Sequence, residues 1–177
     1  ITASSHAAAF ELKEHTIQWT GSMPAQTHYG LLTPQQATVS ISEQGVIEKL
    51  HIILDMDSID VTDLKEGKMR DKLMKHLRSD DFFAVDDFPT AEFQLSQHEG
   101  DKVSGTLTIR GISKPVEFPV TVTRGADGVW ELSGELEFIR QDFNVKYQNK
   151  GFFSTAKEKL IRDEVQVEVN LLVAPVA

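Results

Sequence analysis

The stretch AEFQLSQHEGDKVSGTLTI, residues 91–109, decides the class of fold. Ala91, Phe93 and Leu95 alternate with Glu92, Gln94 and Ser96, and after HEGD at 98–101 Val103, Leu107 and Ile109 again share one side. A period of two with a short glycine-containing link means two antiparallel strands, each with one apolar face. Gly105 has the parity of that apolar face.

The same rhythm continues in both directions. Leu50, Ile52, Leu54 and Met56 alternate with Lys49, His51 and Asp55. Val116, Phe118, Val120 and Val122 share a face; so do Trp130, Leu132, Leu136 and Phe138, set against Glu131, Ser133, Glu135 and Glu137. Val165, Val167, Val169, Leu171 and Val173 form the last such run, while Phe10–Leu12, Ile17–Trp19, Tyr29–Leu32 and Thr38–Ile41 are shorter or less regular. SEQG at 42–45 and GADG at 125–128 supply further turns, so neighbours in sequence pair antiparallel. Eight or more one-faced strands either stack as a sandwich or close as a barrel, since both remove exposed edges.

One segment departs from this period. Met69, Leu73 and Leu77 recur every four residues between charged positions, which predicts a single short amphipathic helix over about 64–78. Asp63 and Glu66 have the spacing of a capping pair at its start, although Gly67 weakens the first turn by about 1 kcal/mol relative to alanine. The helix exits into HLRSDDFFAVDDFP, residues 76–89.

Composition limits the functions this all-β chain can carry. At 177 residues it suits one domain, over 10–177, with residues 1–9 as a tail. A net charge of −9 and a pI near 5.1 disfavour nucleic acid as a partner, and no basic cluster is read as a local exception. Cysteine is absent, which removes disulfides, thiolate catalysis and cysteine zinc sites. No apolar run approaches the roughly 20 residues of a membrane-spanning helix, so stable membrane insertion is not expected. The opening ITASSHAAAF has the small-residue character of a signal-peptide end, with residues 5–7 or 7–9 as cleavage sites; a disordered tail reads equally from the same residues.

Metal and catalytic motifs are weak. DMDSIDVTDLKEG sets Asp55, Asp57, Asp63 and Glu66 on part of a calcium-loop template, but Ile59 and Asp60 occupy positions that need an oxygen ligand and a glycine. Asp80, Asp81, Asp86 and Asp87 read as a solvated loop, and the six histidines are scattered. There is no nucleophile elbow, phosphate-cradling glycine loop or zinc-protease motif, so no enzyme, no cofactor, no metal site and no catalytic residue is expected.

HLRSDDFF, DDFPTAEF, VSGTLTIRGISKPVEFPVTV and FIRQDFNV, in that order, resemble the YceI-like family; HYG at 28–30, DMDSI at 55–59 and IRDEVQVEVNLLV extend the likeness to about residues 10–174. The resemblance implies an antiparallel eight-stranded lipocalin-like barrel. It also implies a periplasmic or secreted carrier for a polyisoprenoid, isoprenoid quinone or similar long amphiphile. Asp80, Ile139 and Asn144 depart from the family's usual proline, aspartate and glycine, and the last two flank Arg140.

On that fold, Trp19, Phe93, Phe118, Trp130 and Phe138 are expected to line a cavity, with core packing as the alternative for each. Gly105 and Gly134 face inward and either leave room for a ligand or bend the sheet. Arg140, at a strand end, is expected at the rim as a head-group contact or in a structural ion pair. Leu77, Phe82, Phe83 and Phe88 are expected over the barrel, as a mobile lid or a fixed plug, while the four aspartates stay in water. A filled-core structural or interaction domain is the other reading of the same fold, and a homodimer stays open as a partner.

Overall fold

The computed structural model describes residues 9–23, 26–146 and 162–176. The expected tail at 1–9 lies almost wholly outside them. Nine strands form one antiparallel sheet: β1 (Phe10–Met23), β2 (Gln26–Leu31), β3 (Thr33–Ile41), β4 (Ile47–Asp55), β5 (Thr90–Glu99), β6 (Lys102–Ile109), β7 (Ile112–Arg124), β8 (Trp130–Ile139) and β9 (Glu164–Pro175). Their order across the sheet is β2-β1-β9-β8-β7-β6-β5-β4-β3. The two end strands, β2 and β3, are consecutive in the chain and separated only by Leu32. The Leu32 amide donates to the Ile17 carbonyl of β1 at 2.9 Å, so the sheet curls until its two edges meet at this residue.

The strand count is therefore nine rather than the expected eight. The extra one comes from the split at Leu32, where the run 26–41 leaves β1 and passes to β4. A second irregularity explains the broken pattern near the start of the chain. Between Leu12 and Glu14 the β1–β9 register slips, leaving Lys13 as an extra residue. Such a bulge moves the inward side from even to odd positions, so Phe10–Leu12 and Ile17–Trp19 belong to one strand.

The inward faces meet in one apolar core. Ile17, Leu50, Ile52, Val103, Leu132 and Leu171 are among its buried members, and no buried lysine or carboxylate interrupts it among the described residues.

Helix α1 spans Lys68–Arg78, shorter at its start than the expected 64–78. Its N-cap is Gly67 at φ 152°, a conformation suited to glycine, and no side chain caps the first turn. The expected Asp63–Glu66 cap does not form, because Asp63 faces β2 instead: it accepts from the Tyr29 amide at 2.9 Å and lies 2.7 Å from His28 Nδ1. Residues 60–62 add to the free edge of β2 through Leu31 and Tyr29, which covers that edge with backbone hydrogen bonds. Asp55, the other end of the discarded calcium pattern, accepts from the Asp57 amide at 3.0 Å and caps a single 3-10 turn.

Candidate functional site

A cavity of about 160 Å³ lies inside the curled sheet, walled almost wholly by apolar side chains and open to solvent. It reaches from the level of Ile47 and Leu132 up to Met56, Leu77 and Phe82 at the helix end. The strands that frame it carry alternating side chains, so each contributes every second residue. β9 gives Val165, Val167, Val169 and Leu171, and β4 gives Leu50, Ile52 and Leu54, with Ile47 brought to the same side by an extra residue at Glu48. Parity in the sequence identified these faces; it did not mark them as cavity wall, because an aliphatic face reads identically whether the space opposite is filled or open.

Trp19, Phe93, Phe118, Gly134 and Phe138 border the cavity. The Trp19 indole nitrogen donates to the Asp60 carbonyl at 3.1 Å, which fixes the ring and leaves its carbon face to the interior. Phe93 and Phe118 meet edge to face at 5.4 Å between centroids, and Phe138 meets Phe143 at 5.5 Å.

The two inward glycines serve as seats for these rings. A Cβ on Gly105 would stand 2.6 Å from Phe93 Cζ and 2.4 Å from the Gln94 carbonyl oxygen, and one on Gly134 would stand 3.1 Å from Phe118 Cε2. The volume that Gly105 vacates is occupied by Phe93, so Gly105 lies outside the lining, contrary to its expected place there.

Three other residues also fall elsewhere than expected. Trp130 is buried below the cavity, with the Arg124 guanidinium over its ring at 5.4 Å. Phe88 is half-exposed on the outside, under Arg110 at 5.9 Å and against Gly111, because the chain has already turned back toward β5. Leu77, Phe82 and Phe83 do border the cavity, while Asp80, Asp81, Asp86 and Asp87 are exposed. Arg110 holds this loop from the β6–β7 turn by donating to the carbonyls of Asp80, at 2.8 Å, and Phe82.

Arg140 is 1% exposed, not at the rim. It sits in a 3-10 turn that follows β8, since Ile139 is the last strand residue and Asn144 ends the turn in the left-handed conformation at φ 65°. Its Nε donates to the Arg162 carbonyl at 3.0 Å and its Nη1 to the Val145 carbonyl at 2.9 Å, and Nη2 lies 3.6 Å from Asp163. Burial lowers its pKa from the ordinary arginine value, and Asp163 works in the opposite direction. Arg140 thus ties the end of β8 to the start of β9 and adds its side chain to the cavity wall.

Polar chemistry is otherwise scarce at this site. Glu92 and Ser133 border the cavity, but Glu92 lies 2.9 Å from His51, and Ser133 is bonded to Glu131 and Asn170. Among the described residues no group of three or more His, Asp or Glu is placed to hold a metal ion, and no helix is long and apolar enough to cross a membrane.

Comparison with known proteins gives a consistent result. A family model described as a YceI-like domain matches residues 3–173. The chain is 30% identical over 130 residues to UPF0312 protein plu2095 of Photorhabdus laumondii, covering 67% of this chain and 63% of that protein. It is 29% identical over 129 residues to Protein YceI of Salmonella arizonae, covering 66% and 63% respectively. The match thus spans less than two thirds of the length of these relatives. BcnA of Burkholderia cenocepacia shares the fold with a TM-score of 0.71 at 22% identity, over 93% of this chain and 99% of that one. A polyisoprenoid binding domain from Saccharophagus degradans does so with a TM-score of 0.67 at 15% identity, over 96% and 99%.

Proposed function

The chain belongs to the YceI-like family, and from that premise we propose that it binds and carries an amphiphilic lipid, a polyisoprenoid or isoprenoid quinone, with the apolar chain inside the curled sheet. The observation that carries this reading is the cavity itself, whose walls are aliphatic and aromatic and whose few polar side chains are bonded elsewhere. An apolar cavity of about this size stays dry in other proteins and takes a benzene-sized guest. Apolar surface removed from water here contributes about 25 cal/mol per Å², less the cost of ordering the guest.

Size refines the reading. At about 160 Å³ the cavity accepts roughly one five-carbon unit with its walls at rest. A longer chain extends through the open channel toward α1 or moves the lining side chains. The polar head stays at the mouth, because the polar side chains that border the cavity are bonded elsewhere. The binding site is the wall formed by Trp19, Phe118, Gly134 and Phe138 with Leu77, Phe82 and Phe83 above, and the Phe93 ring limits the space within it. Action as a carrier outside the cytoplasm, in the periplasm or secreted, fits the opening ITASSHAAAF and the lipid cargo.

The test is mass spectrometry of an organic extract of the protein purified after export from a bacterial host, with a mock purification as control. A stoichiometric isoprenoid, quinone or other long-chain lipid is expected. A clean extract together with no uptake of added quinones or prenyl alcohols would leave the fold as a filled-core interaction domain.

A further inference from the structure

Helix α1 and its approach, residues 65–78, hold six of the chain's 18 lysines and arginines and only two of its 27 acids. The chain as a whole carries −9, so this segment is a basic island that the overall balance conceals. It is also ordered on the helix. Leu77 is buried and Leu73 and Met74 pack against the core, whereas Lys68, Lys72 and Lys75, at i, i+4 and i+7, are all exposed on the opposite side. None of the three has an ion-pair partner among the described residues, in contrast to Arg70, which is paired with Asp60. Beside this stripe, Met69 is 70% exposed, more than any other large hydrophobic residue described.

From these observations we infer that α1 is a docking surface for an anionic lipid bilayer, with the three lysines over the head groups and Met69 entering between them. Clustered lysines on an amphipathic helix are drawn to an anionic lipid surface by about 1 kcal/mol each, and the one apolar side chain left outside, Met69, adds a contact with it. On the helix itself Asp71 offsets one of these charges, and Asp81 lies 3.2 Å from His76; acids more than about 8 Å away are largely screened at physiological ionic strength. The place of the helix gives docking a consequence. Leu77, two residues beyond Lys75 and on the inner face, borders the cavity together with Phe82 and Phe83, so a docked helix brings that end of the cavity to the lipid surface. The surface argument is independent of what fills the cavity.

The test is co-sedimentation of the whole protein with vesicles of phosphatidylcholine alone and with phosphatidylglycerol added. Binding is expected only to the latter, decreasing as salt is raised. Each surface lysine is worth about fivefold in partitioning, so Lys68→Gln/Lys72→Gln/Lys75→Gln should lower it on the order of 100-fold. Met69→Ser should lower it roughly fivefold to tenfold. All four positions are exposed, and unchanged circular dichroism and melting temperature would show that the variants are folded. Equal binding to both vesicle types, no binding to either, or a triple variant that partitions like the parent would overturn the inference. Capture of polyglutamate by the parent but not the triple variant, without vesicle binding, would do so too and would assign this face to an acidic protein.

Discussion

Phe93 offers the sharpest test of whether the cavity is a measured space. Its ring is 8% exposed, lies against Phe118 and fills the space that Gly105 leaves inside the sheet. Phe93→Ala removes about six ring carbons, slightly more than one five-carbon isoprene unit. The unliganded protein should lose about 3–5 kcal/mol, a large part of the 5–15 kcal/mol typical of a domain. Phe93→Leu, at about 1–1.5 kcal/mol, is the milder companion. The enlarged space should then accept one more unit of chain. Burying five carbons gains at most about 4 kcal/mol at 0.8 kcal/mol each, and ordering the unit leaves roughly 2 kcal/mol, or about 30-fold in affinity. Calorimetric titration with prenyl alcohols of increasing length should show affinity levelling off one unit later in Phe93→Ala than in the parent. Identical plateaus would refute the idea that this ring limits the space. Failure of every prenyl alcohol to bind the parent would refute the carrier reading instead.

Further outcomes follow from the same geometry. Gly105→Ala places a methyl 2.4 Å from the Gln94 carbonyl oxygen and against Phe93, so urea denaturation should show a loss of about 1–3 kcal/mol or more; a neutral result would sink the seat reading. Arg140→Met leaves the Arg162 and Val145 carbonyls and Asp163 unserved, at about 3–5 kcal/mol, while affinity for a neutral prenyl alcohol stays the same. Because burial lowers the folded-state pKa of Arg140, the folded state releases this proton more readily than the unfolded chain, and stability rises with pH only between those two high values. The Arg140→Met loss should therefore be equal at about pH 6 and pH 9, and a difference above about 1 kcal/mol would contradict it. Trp19 borders the cavity and Trp130 does not, so a bound quinone should quench emission in Trp130→Phe and not in Trp19→Phe. A prenyl alcohol and its phosphate should bind within about threefold of each other at high salt; a hundredfold preference for the phosphate would reveal a polar site in the wall.

The strands β4 to β9 were legible because one buried face per strand imposes a period of two that no other element produces. Where the face switches, legibility fails: the Lys13 bulge changes the inward side within β1, so one strand reads as two short runs, Phe10–Leu12 and Ile17–Trp19. Inward parity correctly turned Phe93, Phe118 and Gly134 to the interior, but it carries no information on distance along the barrel. Trp130 and Phe138 share a strand face and parity, yet only Phe138 borders the cavity. Position along the axis depends on the tilt and closure of the whole sheet, which single strands do not encode. Arg140 follows its ion-pair reading, with Asp163, and not its rim reading, for a related reason. The end of β8 is also the start of a 3-10 turn, and the turn carries the guanidinium back among the backbone carbonyls of 145 and 162. The basic face of α1 does not show in the net charge of −9, which sums over the whole chain; it shows only in the residues around the helix.

The placement of Arg140 bears on how cargo is chosen. A buried guanidinium is tolerated only if its donors are satisfied, and here the carbonyls of Val145 and Arg162 and the carboxylate of Asp163 engage it. A ligand phosphate drawn inside would have to displace those partners, leaving carbonyls and a carboxylate unserved in an apolar wall. The loss would offset the charge pairing gained. On the proposed function, selection inside the barrel acts on the chain, through the space that Phe93 and Phe118 leave open. Charge acts outside it, where Lys68, Lys72 and Lys75 face solvent above the mouth. That division suits a carrier which must take its cargo from a surface and release it again: a dry cavity holds a chain by area alone, and area is given up gradually as the chain slides out, with no ion pair to break first.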